Sequence, residues 1–319
     1  MKKICVILFF MCGLDVSGQN DPLFSHYMFN PSYYNPGWLG DVKSSFATFH
    51  HRTQWAGYTT SFDGSGGAPI SQLMSFALPI SGRLSTAGVN FIHDQVGIES
   101  TVKMQVGAAY TFDLKKGQLS VGMMPTLINR TLRFDELRFE NPGDPLNTGT
   151  RESQSRPDLA AGVFYNSVDG FFAGIGVDHL LSPSLISIEA SGSQISGKLE
   201  SVYYFHGGKR MDLNRDLELV PTFLLKTSFG GYSLDVSGVL NYRQTMWGGL
   251  SYRSAESAVL LLGYNFLENK ALKVGYSFDY VVQNQDVKRP TSHEIFVRYE
   301  MPSLILGGRK PVKTPRFSY

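Results

Sequence analysis

Between about Ser44 and Met301 the chain repeats a two-residue rhythm in one short run after another. In Val102 to Asp113, the residues Val102, Met104, Val106, Ala108, Tyr110 and Phe112 alternate with Lys103, Gln105, Gly107, Ala109, Thr111 and Asp113. Successive side chains of an extended strand point to opposite faces, so this spacing makes one apolar face and one small or polar face. Leu272 to Tyr280 and Ile295 to Met301 show the same split, with Ser277 and Asp279, then Arg298 and Glu300, on the polar side. Similar strands fit near 44–54, 71–79, 85–94, 117–130, 157–168, 170–179, 198–210, 216–228, 231–241, 245–253 and 257–266, for about fourteen in all. An even number of antiparallel strands closes a ring with both chain ends on one side.

Alternation also occurs in soluble sandwiches, where one face of each strand enters a core. A sandwich needs protected edges, however, and its strands vary in amphipathicity, whereas a closed ring has no edge and can be amphipathic all round. Nearly every strand here is split, and aromatic residues gather towards strand ends, as in Tyr110/Phe112, Tyr264/Phe266 and Tyr280. In hydrocarbon an unpaired backbone group costs several kcal/mol, so strands cross lipid only as a closed ring. The pattern therefore predicts an all-β fold, a transmembrane outer-membrane β-barrel over residues 44–301 with girdles of interfacial aromatics.

Connection lengths give a second test, since such barrels place short turns on the periplasmic side and longer loops outside. With a periplasmic start, the inner connections Ser81 to Arg83, Leu114 to Lys116, Asp169, Asp212 to Arg215, Tyr242 to Gln244 and Leu267 to Lys270 are brief. The long stretches Ala56 to Ile70, Thr131 to Arg156, Leu181 to Gly197 and Val282 to Thr291 all fall outside, beside three short outer turns near Val96, Gly230 and Ala255.

The start of the chain fits this address. Lys2 and Lys3 precede an apolar run from Ile4 to Met11, and Val16-Ser17-Gly18 supplies small residues before Gln19, which predicts an export signal over residues 1–18. That run is shorter than the roughly 20 residues of a spanning helix. Both cysteines, Cys5 and Cys12, lie within the expected signal, so the processed protein has no thiol for a disulfide or a thiolate metal site. Lipidation at Cys12 is disfavoured by the bulk of Phe10-Met11 before it. Without Lys2, Lys3 and Asp15 there remain 27 basic and 26 acidic residues, a balance unsuited to nucleic-acid binding. Arg309, Lys310, Lys313 and Arg316 make the tail 302–319 basic, as a solvated end.

Residues 19–43 precede the first strand. Pro22, Pro31 and Pro36 restrict φ there, and Asn30 and Asn35 can bond neighbouring backbone groups, so a fixed irregular segment is expected, either as a plug in the lumen or flat on the periplasmic rim. About fourteen strands leave room for such a plug or for a narrow passage.

The segment QNDPLFSHYMFNPSYYNPGWLG, through Phe24, Tyr27-Met28-Phe29-Asn30-Pro31 and Asn35-Pro36, resembles the N-terminal signature of the PorP/SprF family. The resemblance continues through Arg52-x-Gln54-Trp55, Gly67-Ala68-Pro69, Trp247-Gly248-Gly249 with Tyr252-Arg253, Gly275 to Asp279, and Ser292-His293-Glu294. It implies a non-catalytic outer-membrane barrel without cofactor or metal. The implied setting is type IX secretion and gliding motility in Bacteroidetes, and the implied partners are periplasmic lipoprotein or ring proteins or the C-terminal domain of a secreted adhesin. Phe24, Tyr27, Met28, Asn30, Pro31, Asn35, Pro36, Arg52, Trp55, Trp247, His293 and Glu294 are then the candidate partner-binding or structural motif. Arg52 and Trp55 could clamp a loop or a partner, or tether the plug and rim. The alternative is a transport barrel for a hydrophobic or small solute.

Candidates for chemistry are thin. His93-Asp94, His179 with Ser182, and His293-Glu294 sit near strand ends without an accompanying motif. His50-His51 is a poor metal pair because adjacent strand residues diverge. The glycines scattered through the strands are expected to ease crowding in a curved sheet.

Overall fold

A computed structural model describes residues 21–58, 67–80, 84–136, 149–190, 193–254, 256–267, 269–283 and 288–301. The segment expected as an export signal, the basic tail 302–319 and the inner turn expected at Ser81 to Arg83 lie outside the described residues. The strands are β1 (Ser45–Thr53), β2 (Ile70–Pro79), β3 (Leu84–Val96), β4 (Glu99–Leu114), β5 (Gly117–Arg133), β6 (Arg151–Ser167) and β7 (Phe171–Asp178). They continue as β8 (Ser184–Ala190), β9 (Ser193–Lys198), β10 (Val202–Lys209), β11 (Met211–Asp212) and β12 (Leu217–Ser228). The last five are β13 (Gly231–Tyr242), β14 (Met246–Arg253), β15 (Ser257–Phe266), β16 (Leu272–Val281) and β17 (Thr291–Met301).

Fourteen of these form the ring: β1 to β7, β10 and β12 to β17, each antiparallel to its neighbours. β1 closes on β17 from Ser45↔Met301 to Thr53↔His293, and β10 bridges β7 and β12. All fourteen expected strands are present, and each strand of the ring is paired with a neighbour on both sides. Burial then reveals the solvent. Met74, Met123 and Leu250 are 55%, 51% and 69% exposed on the outer face, while Ser75, Gln105, Ser237, Ser277 and Asp279 are buried. This inverts the usual order of a water-soluble protein, in which charged groups stay outside. It is the arrangement that lipid around the ring requires.

The differences from the sequence reading lie at the strand ends and in the outer connections. β5 and β6 run further, pairing to Arg133↔Arg151, so part of the stretch expected as a loop is a hairpin. It is held by a polar ladder in which Asn129 donates to Ser153 and Ser155 at 3.0 and 2.9 Å, which leaves no apolar rhythm to read. Leu181 to Gly197 contains the separate hairpin β8–β9, tied off where the Leu199 amide donates to the Pro183 carbonyl. β10 consequently begins at Val202 rather than near 198. β17 begins four residues before Ile295, which places His293 and Glu294 inside the strand.

Candidate functional site: a plug bolted into the barrel

Residues 21–42 lie within the lumen, almost all buried, so the rim alternative for this segment is set aside. Its local form follows from two Asn-Pro pairs. A residue before proline is driven to extended backbone, and proline itself fits the first position of a helical turn. Asn35 (φ −149°, ψ 103°) is extended in this way, whereas Asn30 has φ −138° and ψ 62°; they precede 3-10 turns at Pro36–Asp41 and Pro31–Tyr33, after a first turn at Tyr27–Phe29. The Asn35 side chain caps the last of these by accepting from the Gly37 amide at 2.8 Å.

The plug descends from the outer end of the lumen to the periplasmic end, fastened at successive depths. Near the top, Lys103 Nζ on β4 lies 3.1 Å from Asp21 and 2.7 Å from Asp178. His179 lies between Asp21 (3.0 Å) and Asp158 (2.6 Å), and Lys226 donates to the Asp21 carbonyl at 2.6 Å. Burial presses the His179 pKa down, but the Asp21 and Asp178 carboxylates outweigh it and raise it to about 10. The imidazole is thus a cation between carboxylates. Asp21, Asp178 and His179 bring three possible metal-ligand atoms within 4.8 Å of one another. Lys103 already supplies the cation there, and both His179 nitrogens are engaged.

At the next level the Glu294 carboxylate accepts from the Ser25 amide (2.6 Å) and the His26 amide (3.2 Å), with His26 Nδ1 at 2.8 Å and His50 Nδ1 at 3.2 Å. Arg52 donates to Asp279 at 2.7 Å and to Ser25 Oγ at 2.8 Å, and Arg253 pairs with Asp235 at 2.8 Å. Every one of these groups is buried. Buried charges are tolerable only when paired and hydrogen-bonded, which explains why they come as a network.

Lower down, Tyr27 OH lies 2.9 Å from Thr222 and donates to Ser237 at 3.0 Å, and Asn30 donates to Ser75 at 2.6 Å. Asn35 Nδ2 donates to the Val163 carbonyl and lies 2.9 Å from His206 Nε2. It does so in a notch made by missing side chains. A Cβ on Gly162 would come within 2.0 Å of Asn35 Oδ1, and one on Gly176 within 2.0 Å of the Tyr34 carbonyl. These glycines admit the plug backbone, a role more specific than easing curvature. At the periplasmic end Asn166 donates to Asp41 at 2.6 Å, and the chain enters β1.

Most of the motif named from sequence therefore converges on one plug–wall interface. Phe24 packs edge-on against Tyr33, Met28 and Phe29 reach Trp247, and Pro31 and Pro36 start the turns. Arg52 is 2% exposed and engaged by the plug and by Asp279, so its clamp grips the plug. Two residues stand apart. Trp55 lies at the outer rim with φ 52°, its amide donating to Ser292 and its ring near Lys288. His293 faces outward, 2.6 Å from Tyr276 OH, because it neighbours the inward Glu294 on a strand. His50 and His51 likewise diverge, the first buried and the second half-buried. Ser182 bonds the His179 carbonyl rather than its ring, so these two make no nucleophile–base pair. Asp21, Ser25, His26, Lys103, Asp158 and His206 escaped sequence reasoning. Only the inward register of Lys103 on β4 hinted at a role.

A family model for "Type IX secretion system membrane protein PorP/SprF" matches residues 16–299. The chain belongs to the PorP/SprF family. As a member it is an outer-membrane component of type IX secretion. No curated protein matches the chain. Among solved structures it is similar to a Pseudomonas aeruginosa FadL homologue, at 13% identity over 89% of this chain and 96% of that one, with a TM-score of 0.48. It is also similar to the CymD monoaromatic hydrocarbon channel, at 9% identity over 88% and 93% with a TM-score of 0.49. For the Acinetobacter baumannii outer membrane protein Omp33 the figures are 7% identity, 81% and 98% coverage, and a TM-score of 0.44. At such identities no ligand or partner is carried over.

Proposed function

We propose that this PorP/SprF protein is a non-catalytic partner-binding component of the type IX secretion and gliding machinery. It acts as a sealed outer-membrane platform for a periplasmic lipoprotein, a ring protein or the C-terminal domain of a secreted adhesin. The observation that carries this reading is the plug. A conduit needs a path through the lumen, whereas here residues 21–42 occupy it and are fastened to the wall at several depths, by an ion pair at Asp21 and by buried hydrogen bonds from Ser25, Tyr27 and Asn30.

The competing reading is a channel for a hydrophobic or small solute. Its support is a cavity of about 410 Å³ among the inner turns, which runs up to Phe29 and Trp247. Two experiments separate the readings. Crosslinking and pull-down from native membranes should recover a secretion component or an adhesin domain, and deletion of residues 19–40 should abolish that association while strand content is kept. Purified protein in planar bilayers should show no steady conductance. Steady conductance without partners, together with an empty pull-down, would favour transport instead.

A further inference from the structure

The plug does not fill the lumen evenly. Its third turn, Pro36–Asp41, contacts β3 to β7, whereas the inner ends of β12 to β17 border open space. The cavity of about 410 Å³ there adjoins a second of about 340 Å³ beneath the β11–β12 and β13–β14 turns, and the two share Glu218, Asn241 and Gln244. Together they make a trough opening on the periplasmic side.

Its lining is specific. Four carboxamides, Asn241, Gln244, Asn265 and Asn269, surround the opening. The charged walls are self-neutralising, with Lys273 2.9 Å from Glu300 and Arg243 paired with Asp216. At the deep end lies Trp247, 4% exposed, whose indole N–H has no acceptor. Two positions along the neighbouring strand from its partner Gly263, Asn265 Oδ1 has no donor. A buried donor and a buried acceptor left unpaired each cost about 1–3 kcal/mol, so this end of the trough is primed for a ligand that offers both.

The ring of Trp247 is equally informative. It lies where side chains are missing, since a Cβ on Gly263 or Gly275 would come within 2.1 or 2.7 Å of it, and Phe29 covers it at a centroid distance of 4.5 Å. The face of Trp247 is therefore closed to a stacking sugar. What remains on offer is hydrogen bonding along a narrow polar trough of balanced charge, which suits the alternating N–H and C=O groups of a polypeptide backbone.

We propose that this trough is the docking site for an extended peptide segment of a periplasmic partner, with Trp247 and Asn265 reading one of its backbone amides. The proposal rests on the partner-binding reading above and places that partner on the periplasmic face.

A photo-crosslinking amino acid at Asn269, in the trough, is compared in living cells with one at Lys116, on the inner turn between β4 and β5. The crosslinked segment is sequenced, made as a synthetic peptide and titrated against the purified full-length barrel and its Trp247→Phe variant. Asn269 should capture one contiguous stretch of periplasmic polypeptide, and that peptide should bind the variant about tenfold more weakly. The smaller ring also gives up packing over Gly263 and Gly275 and should lower the unfolding temperature, so both proteins are titrated at a temperature where circular dichroism shows each fully folded. Capture of glycan from Asn269, or equal affinity for wild type and variant, would overturn the proposal. If secretion components co-purify but crosslink only from Lys116, the trough is refuted while the partner-binding function stands. If nothing co-purifies, the function fails as well.

Discussion

Replacing Glu294 by alanine tests whether the plug is held by side chains while the barrel is held by its backbone. The carboxylate serves four donors, two of them plug amides at 2.6 and 3.2 Å, and lies 3.7 Å from Arg52. Removing one member of a buried charged network costs about 3–5 kcal/mol, because the partners left behind stay buried without compensation. Every 1.4 kcal/mol is tenfold, so the ratio of docked to released plug should fall by about 10²- to 10⁴-fold. The β1–β17 backbone pairing is untouched, and strand content should not change. Ser32→Cys is a suitable reporter, since Ser32 is 2% exposed and both natural cysteines precede Gln19. Its labelling by a water-soluble maleimide should accelerate in Glu294→Ala by that factor, and current steps should appear in planar bilayers. Glu294→Gln, which keeps the shape and one accepting oxygen, should fall between the two. Labelling within a few-fold of the parent, in a barrel of normal strand content, would refute the assignment of Glu294 as a principal plug fastener.

Three further expectations follow from the same geometry. Gly176→Ala puts a methyl group 2.0 Å from the Tyr34 carbonyl and should cost about 1–3 kcal/mol, read as increased protease cleavage within the plug with the barrel intact. Leu250→Arg, on the lipid face, should lower folding stability in liposomes by about 2–4 kcal/mol if that position lies near the bilayer midplane, whereas Leu250→Ala should cost less. His179 has its pKa raised to about 10 in the fold, so its contribution is complete below its unfolded value near 6.5 and is lost as pH climbs through 10. Plug protection should therefore weaken on the alkaline side, and His179→Gln should flatten that part of the profile.

The ring was legible in the sequence because its two faces meet different solvents, and every strand repeats that contrast. Where the contrast ends, so did the legibility. The outer part of β6, Arg151 to Arg156, is polar on both faces, and cross-strand bonds such as Asn129 to Ser153 tie it to β5. The plug was visible as a rigid segment from its Asn-Pro pairs, but its place was not, because its fasteners join residues as distant as Ser25 and Glu294. His293 and Glu294 were named together although a strand must send them opposite ways, and only Glu294 reaches the lumen. The glycine notch could not be read from spacing, since a glycine is silent about what occupies the space it leaves.

The occupied lumen is tested most directly by proximity in native outer membranes. Asn30 donates to Ser75 at 2.6 Å across the plug–wall interface, so Asn30→Cys with Ser75→Cys places two thiols together in a chain whose natural cysteines, Cys5 and Cys12, both precede Gln19. A short bifunctional thiol reagent should link them within one molecule in nearly every copy. Free reaction of both positions with a membrane-impermeant maleimide, and no intramolecular link, would contradict a barrel sealed by its own N-terminal segment.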